Sequence, residues 1–151
     1  MSEPTSPGSL RRLYVAEPPA SYLVRPPLVV DCSMLAAVLF QEIGRDDAHH
    51  RLTGRELHVP ELLDYEIMSV ALKKLRQGRG DLVAVAMPQY DAFPVQLHSV
   101  DVATTLELAT RYQLSAYDAA YLWLAAELNA PLATFDERLA AAAQRHLSTL
   151  P

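Results

Sequence analysis

Leu28-Val29-Val30-Asp31-Cys32-Ser33 is an apolar run that closes on an acid and then on a residue suited to starting a helix. The three aliphatic residues ahead of Asp31 read as a short buried strand. Ser33 can cap a helix that begins at Met34, Leu35, Val38, Leu39 and Ile43 supply its buried stripe, and Gly44 can end it. The junction of strand, acid and helix then recurs. Glu66 in Leu62-Leu63-Asp64-Tyr65-Glu66, Asp118 in Leu114-Ser115-Ala116-Tyr117-Asp118 and Asp136 in Leu132-Ala133-Thr134-Phe135-Asp136 each fall where a strand hands over to a helix or just inside that helix. If the strands are parallel, all four carboxylates can converge on one edge of one sheet, where ligand sites of open α/β folds sit. Carboxylates gathered in this way repel one another, so a hard divalent cation is their natural complement, and oxygen ligands favour magnesium or manganese.

Outward from that first strand the pattern keeps alternating. A short polar helix is expected over 46–52, a strand over 57–59, and a helix from Pro60 to about Gln77 stopped by Gly78, with Leu63, Ile67, Val70, Ala71 and Leu75 inward. Glu66 lies among those apolar residues, so it belongs where the stripe reaches the open edge of the sheet. A helix over 81–90, a strand over 95–100, helices over 102–112 and 115–128, a strand over 132–134 and a last alanine-rich helix from Asp136 to about His146 complete the chain. The fold class expected is three-layer α/β/α, with a central parallel sheet of four or five short strands. Residues 1–26 read as a Pro-rich leader, flexible or partner-binding, and 27–151 as the domain proper.

With 151 residues, half of them hydrophobic, one core is expected and two sizeable domains are excluded. Cys32 is the only cysteine, so no intramolecular disulfide can form, and the cytosol fits best. The leader lacks the apolar stretch of a secretory signal, and no segment approaches about 18 uninterrupted apolar residues, so no membrane span is expected. A net charge of −5 argues against adhesion to nucleic acid through overall charge. It leaves room for a local basic track at Lys73, Lys74, Arg76 and Arg79, which equally suits a solvated helix end. His49 and His50 are adjacent and make a poor chelating pair, and Trp123 defaults to packing or a dimer contact. Tyr65 and Tyr117, each beside an acid, are expected to pack in the core or rim more readily than to stack on a base.

Each acid taken alone has a plain structural explanation, as a turn residue, an ion-pair partner or a helix cap. The conjunction is more specific. Val30-Asp31-Cys32-Ser33, Tyr65-Glu66 on a helix, Leu114-Ser115-Ala116-Tyr117-Asp118-Ala119 and Thr134-Phe135-Asp136-Glu137-Arg138-Leu139 together resemble the acidic motifs of PIN-domain ribonucleases, and most closely the toxins of VapB/VapC-type toxin–antitoxin pairs. The resemblance spans about residues 27–146. It implies a magnesium- or manganese-dependent endoribonuclease in which Asp31, Glu66 and Asp118 are the central metal-binding acids and Asp136 assists directly or through water. Ser33 and Thr134 fit hydroxyls that orient a carboxylate or a metal-bound water, or serve as cap and turn residues.

The partners so implied are an RNA substrate, a cognate antitoxin and a second copy in a homodimer. The antitoxin helix is expected in an apolar groove between the helical segments 34–52 and 61–75, bordered by Lys73, Lys74 and Arg76. Residues 146–151 are a weak candidate for a small last strand. Among rivals, an aspartyl-phosphatase would need a second aspartate where Ser33 stands, and a receiver domain would need an acidic pair ahead of its phosphorylated residue and a later lysine; neither is evident. A stand-alone RNA-processing nuclease, or a metal- or partner-binding domain that does not cut RNA, remains open.

Overall fold

A computed structural model of the chain describes Tyr14, Ala16 and residues 25–151. The expectation of a flexible or partner-binding leader therefore falls almost wholly outside the described residues. The elements run β1 (Pro27–Val30), α1 (Cys32–Leu39), α2 (Arg45–Leu52), β2 (Glu56–Pro60), α3 (Leu63–Arg76), α4 (Gly80–Asp91), β3 (Val95–His98), α5 (Val102–Tyr112), α6 (Ala116–Glu127), β4 (Leu132–Ala133) and α7 (Glu137–Leu147). The strands form one four-stranded sheet in the order β3-β2-β1-β4, and every pairing is parallel. All strand ends therefore point the same way, which brings the segments after β1 and β4 side by side.

Alternation along β1 divides the core in two. Leu28 and Val30 face one layer, where Leu35, Phe40, Leu63, Ile67 and Ala86 of the α1, α3 and α4 region are buried. Val29 faces the other, with Leu108, Tyr121, Leu122, Leu124 and Leu139 from α5, α6 and α7. Each such aliphatic side chain, once fully buried, contributes roughly 1.5–3 kcal/mol. The three-layer architecture is the expected one, and no helix among the described residues is long and apolar enough to cross a membrane.

One buried polar group needs an explanation. His58 of β2 is nearly covered, yet both ring nitrogens are satisfied, Nε2 by Glu56 Oε1 and Nδ1 by His98 Nε2, each at 2.8 Å. A carboxylate only accepts, so His58 Nε2 carries the hydrogen, and the chain of three side chains fastens edge strand β3 to β2.

Several boundaries differ from the sequence expectation. Helix α1 stops at Leu39, Gln41 turns with φ of 54°, and Ile43 is fully exposed instead of closing a buried stripe. Gly44 begins α2 rather than ending α1: its φ is +88°, and a Cβ there would lie 2.8 Å from the Phe135 ring, so only glycine fits. Pro60 ends β2, and α3 starts three residues later at Leu63 with no side-chain cap. Leu75 lies half-exposed at the far end of α3 instead of facing inward. Strand β3 ends at His98, whose carbonyl accepts from Glu61 N. The last residues form no strand: α7 continues to Leu147, and turns follow as Thr149 N donates to His146 O and Leu150 N to Leu147 O.

Candidate active site

Asp31 leaves β1 and becomes the N-cap of α1, the role assigned to Ser33 from sequence. It is 6% exposed, and both carboxylate oxygens are engaged. Oδ1 accepts from Ser33 Oγ at 2.6 Å and from Met34 N at 3.3 Å, and Oδ2 accepts from Thr134 Oγ1 at 2.5 Å. The two hydroxyls also reach across: Ser33 Oγ accepts from Phe135 N at 3.0 Å, and Thr134 Oγ1 accepts from Asp136 N at 2.9 Å. Two short polar segments about a hundred residues apart are thereby stitched together at the ends of β1 and β4. Asp136 caps α7 through Leu139 N at 2.9 Å.

Glu66 and Asp118 come from the opposite side, each in the first turn of its helix. Glu66 Oε1 accepts a 2.6 Å hydrogen bond from Tyr121 of α6. Tyr121 is one turn beyond Asp118, so the same face of α6 carries an acid and the donor that holds a second acid. Sequence reading missed this residue, although its spacing from Asp118 was the available signal. Burial raises the pKa of the Tyr121 phenol, with the Glu66 charge adding to it, so it remains a donor.

The electrostatics show that the acids face one another. Burial raises the pKa of Asp31, with a further push from Asp136, against the lowering effect of its hydrogen bonds. Glu66 is raised by burial and by the charges of Asp31 and Asp118, outweighing Tyr121. Asp118 is raised by burial and by Asp136 and Asp31, with Ser115 and Arg138 pulling the other way. Among the described residues, no three His, Cys, Asp or Glu side chains are gathered so as to hold an ion by themselves. The donor set is nonetheless all oxygen and short of positive charge. That suits a hard cation which keeps part of its water shell and binds through few carboxylates, as magnesium does. Cys32, between Asp31 and Ser33, is no competitor: burial and the surrounding acids push its thiol up to about 12.

The basic cluster is not part of this gathering. Lys73, Lys74 and Arg76 sit in the last turn of α3, about 10–15 Å along the axis from Glu66. Lys74 pairs with Glu42 at 3.0 Å and Arg79 with Asp81 at 3.1 Å, so two of the four cations have local partners. A groove of about 870 Å³ instead runs along β4, lined by Thr134 and Phe135, by His50, Arg51 and Arg55, and by Ala140, Ala143 and Gln144 of α7. His49 and His50 line a smaller cavity on α2 with Asp46 and Thr53. Tyr65 and Tyr117, 71% and 63% exposed, do not pack in the core, and Phe135 is also exposed. Trp123 is half-buried against the α5–α7 core.

Residues 28–145 match the family model of the PIN domain. The chain is 30% identical over 120 residues to Ribonuclease VapC3 of Pyrobaculum aerophilum, covering 75% of this chain and 92% of that protein. It is 36% identical over 116 residues to Ribonuclease VapC9 of Mycobacterium tuberculosis, covering 74% of this chain and 87% of that protein. The crystal structure of PAE2754 from Pyrobaculum aerophilum superposes with a TM-score of 0.63 at 23% identity, over 82% of this chain and 94% of that one, a likeness that speaks to the fold alone. The match over most of the domain and the two relatives place the chain in the PIN domain family, among its VapC-like members.

Proposed function

We propose that the chain is a metal-dependent endoribonuclease, the toxin of a toxin–antitoxin pair, with Asp31, Glu66, Asp118 and Asp136 as its metal-binding and catalytic acids. The observation that carries this reading is the convergence of four acids around Asp31, whose carboxylate is held on both oxygens by Ser33, Met34 and Thr134. When bound, magnesium or manganese would supply Lewis-acid polarisation of the phosphate and a lowered pKa for water. The protein's own part is orientation. Ser33 and Thr134 fix the Asp31 carboxylate, Tyr121 fixes that of Glu66, and the cap geometry of α7 fixes Asp136. No side-chain nucleophile is required.

RNA would be held less by charge than by shape and stacking, given the net charge of −5. Tyr65, Tyr117 and Phe135, each next to an acid in sequence, offer exposed ring faces on which unstacked bases can lie. The groove containing Arg51 extends from Thr134 and Phe135 and suits the phosphates of a strand passing the acids better than Lys73, Lys74, Arg76 and Arg79 do. For the antitoxin, Tyr65, Met68, Leu72 and Leu75 form an exposed apolar stripe at helical spacing on α3, a face that an amphipathic helix can cover. A homodimer would find apolar contact at exposed Val102 and Leu106 of α5 more readily than at half-buried Trp123. Such an activity belongs in the cytosol, where RNA and antitoxin are both at hand.

Cleavage of mixed-sequence RNA oligomers, with manganese, with chelator and with Asp31→Asn, tests the enzyme. Activity that needs the metal and vanishes in the variant is expected, whereas cleavage indifferent to chelator would defeat the proposal. Co-expression with the product of an adjacent small reading frame tests the partner. A stable complex with suppressed cleavage is expected; no complex would favour a stand-alone RNA-processing nuclease.

A further inference from the structure

We infer that Tyr121 sets the cation preference of the acidic site, favouring manganese and magnesium over calcium by keeping one oxygen of Glu66 engaged. The inference rests on the proposed metal site. Tyr121 is 1% exposed, and its hydroxyl donates to Glu66 Oε1 at 2.6 Å. Among the described residues this is the one hydrogen bond to that carboxylate, so Oε2 is the oxygen an incoming cation can reach without breaking a contact. Asp31 enters with similar constraints, since both its oxygens already accept.

Calcium takes six to eight oxygens and often both oxygens of one carboxylate, whereas magnesium demands a compact octahedron and keeps several waters. To offer both oxygens, Glu66 would have to release Tyr121 and leave a buried phenol without a partner, a loss that a cation taking single oxygens avoids. Tyr121 is a positioning residue in this scheme.

A merely structural tyrosine exists for comparison. Tyr90 of α4 donates to Asp64 of α3, also at 2.6 Å, but Asp64 is outside the group of acids that face one another. Loss of either hydroxyl removes a helix–helix hydrogen bond, and only one of the two should alter the ratio of metal affinities.

The experiment titrates the full chain with Mn2+, read by the electron-paramagnetic signal of the free ion, and then competes with Ca2+, for wild type, Asp31→Asn, Tyr121→Phe, Tyr90→Phe and Glu66→Asp. Glu66→Asp withdraws the carboxylate from the phenol while leaving Tyr121 in the core, so it decides the matter if Tyr121→Phe does not fold. Wild type should bind Mn2+ in an Asp31-dependent manner and prefer it to Ca2+. Tyr121→Phe and Glu66→Asp should lose about tenfold or more in Mn2+ affinity and a smaller factor for Ca2+, and Tyr90→Phe should keep the wild-type ratio. An unchanged Mn2+-to-Ca2+ ratio in Tyr121→Phe, or in Glu66→Asp should Tyr121→Phe not fold, with wild type still binding Mn2+ and cutting RNA, overturns this inference alone. Absence of any Asp31-dependent Mn2+ binding in wild type overturns both it and the proposed nuclease.

Discussion

The half of the proposed site built from the ends of β1 and β4 and the half carried by α3 and α6 hold their carboxylates by different means. On the strand side, Asp31 is met by two hydroxyls and a backbone N–H, and those hydroxyls in turn accept from Phe135 N and Asp136 N, a closed polar circuit. On the helix side, Glu66 relies on one phenol and Asp118 on its cap residue Ser115, and both are raised in pKa by burial together with neighbouring acids. The strand half is thus organised without a cation, and the helix half carries the unrelieved repulsion. A metal should find its first hold on the former and change the latter most.

The largest effect should come from the centre of the organised half. Asp31→Asn replaces an acceptor with an amide donor facing Ser33 and Thr134, and RNA cleavage should fall by more than the roughly 10–100-fold typical of losing an outer partner of a metal ligand. Kinetics on a fluorogenic RNA oligomer would measure it. A smaller fall for Asp31→Asn than for Asp118→Asn would reverse the ranking of the two halves.

Thr134→Val should cost less, about 10–100-fold in metal affinity or activity. It leaves Asp31 Oδ2 and Asp136 N without their shared partner, and unfolding experiments should register about 1–3 kcal/mol of lost stability. Because Tyr121→Phe breaks a single hydrogen bond, its loss of stability should be smaller than that of Thr134→Val.

The helix half gives a pH-dependent effect of opposite sign. Asp31, Glu66 and Asp118 have pKa values raised in the fold, so each contributes stability that is complete below its ordinary value of 3.8 or 4.5 and is lost as pH rises through the folded value. In the metal-free protein, Asp118→Asn should therefore raise the melting temperature at neutral pH, and the gain should fade on acidification. Added manganese should stabilise wild type by about 2.7 kcal/mol at a free concentration one hundred times its dissociation constant. The variant should show less, and equal metal-induced shifts in both would mean that the ion binds elsewhere.

The smallest effects separate the two candidate RNA tracks. Arg51→Ala should lower the slope of RNA affinity against salt by about 0.7 for each single-strand phosphate that the arginine had neutralised, while Lys73→Ala and Arg76→Ala should leave it nearly unchanged. Fluorescence anisotropy across a salt series distinguishes them, and a larger change in the α3 variants would make the basic cluster of α3 the track.

Much of this was readable in the chain because the strong signals were local. An apolar triplet before Asp31 and the caps at Asp101, Ser115 and Asp136 each specify a junction within a few residues, and the alternation of strands and helices then forces a parallel sheet. What was not readable depends on distant chain. Gly44 reads as a helix stop until Phe135 is seen to lie against it, Ser33 reads as a cap until Asp31 takes that place, and Tyr121 reads as core until Glu66 arrives from another helix. Ile43 continued a helical period that the left-handed turn at Gln41 cut short. The basic run near the end of α3 had the right composition for RNA and the wrong position, and its neutralisation by Glu42 and Asp81 is a tertiary and a local pairing that composition alone does not reveal.

The most direct test of the central claim is anomalous diffraction from crystals of the full chain soaked in manganese. The expected result is a peak among the carboxylates of Asp31, Glu66 and Asp118, with Asp136 in direct or water-bridged reach. A dominant peak at the Asp46, His49 and His50 face of α2, or none near Asp31, would contradict the proposal that the four acids form a divalent-metal site.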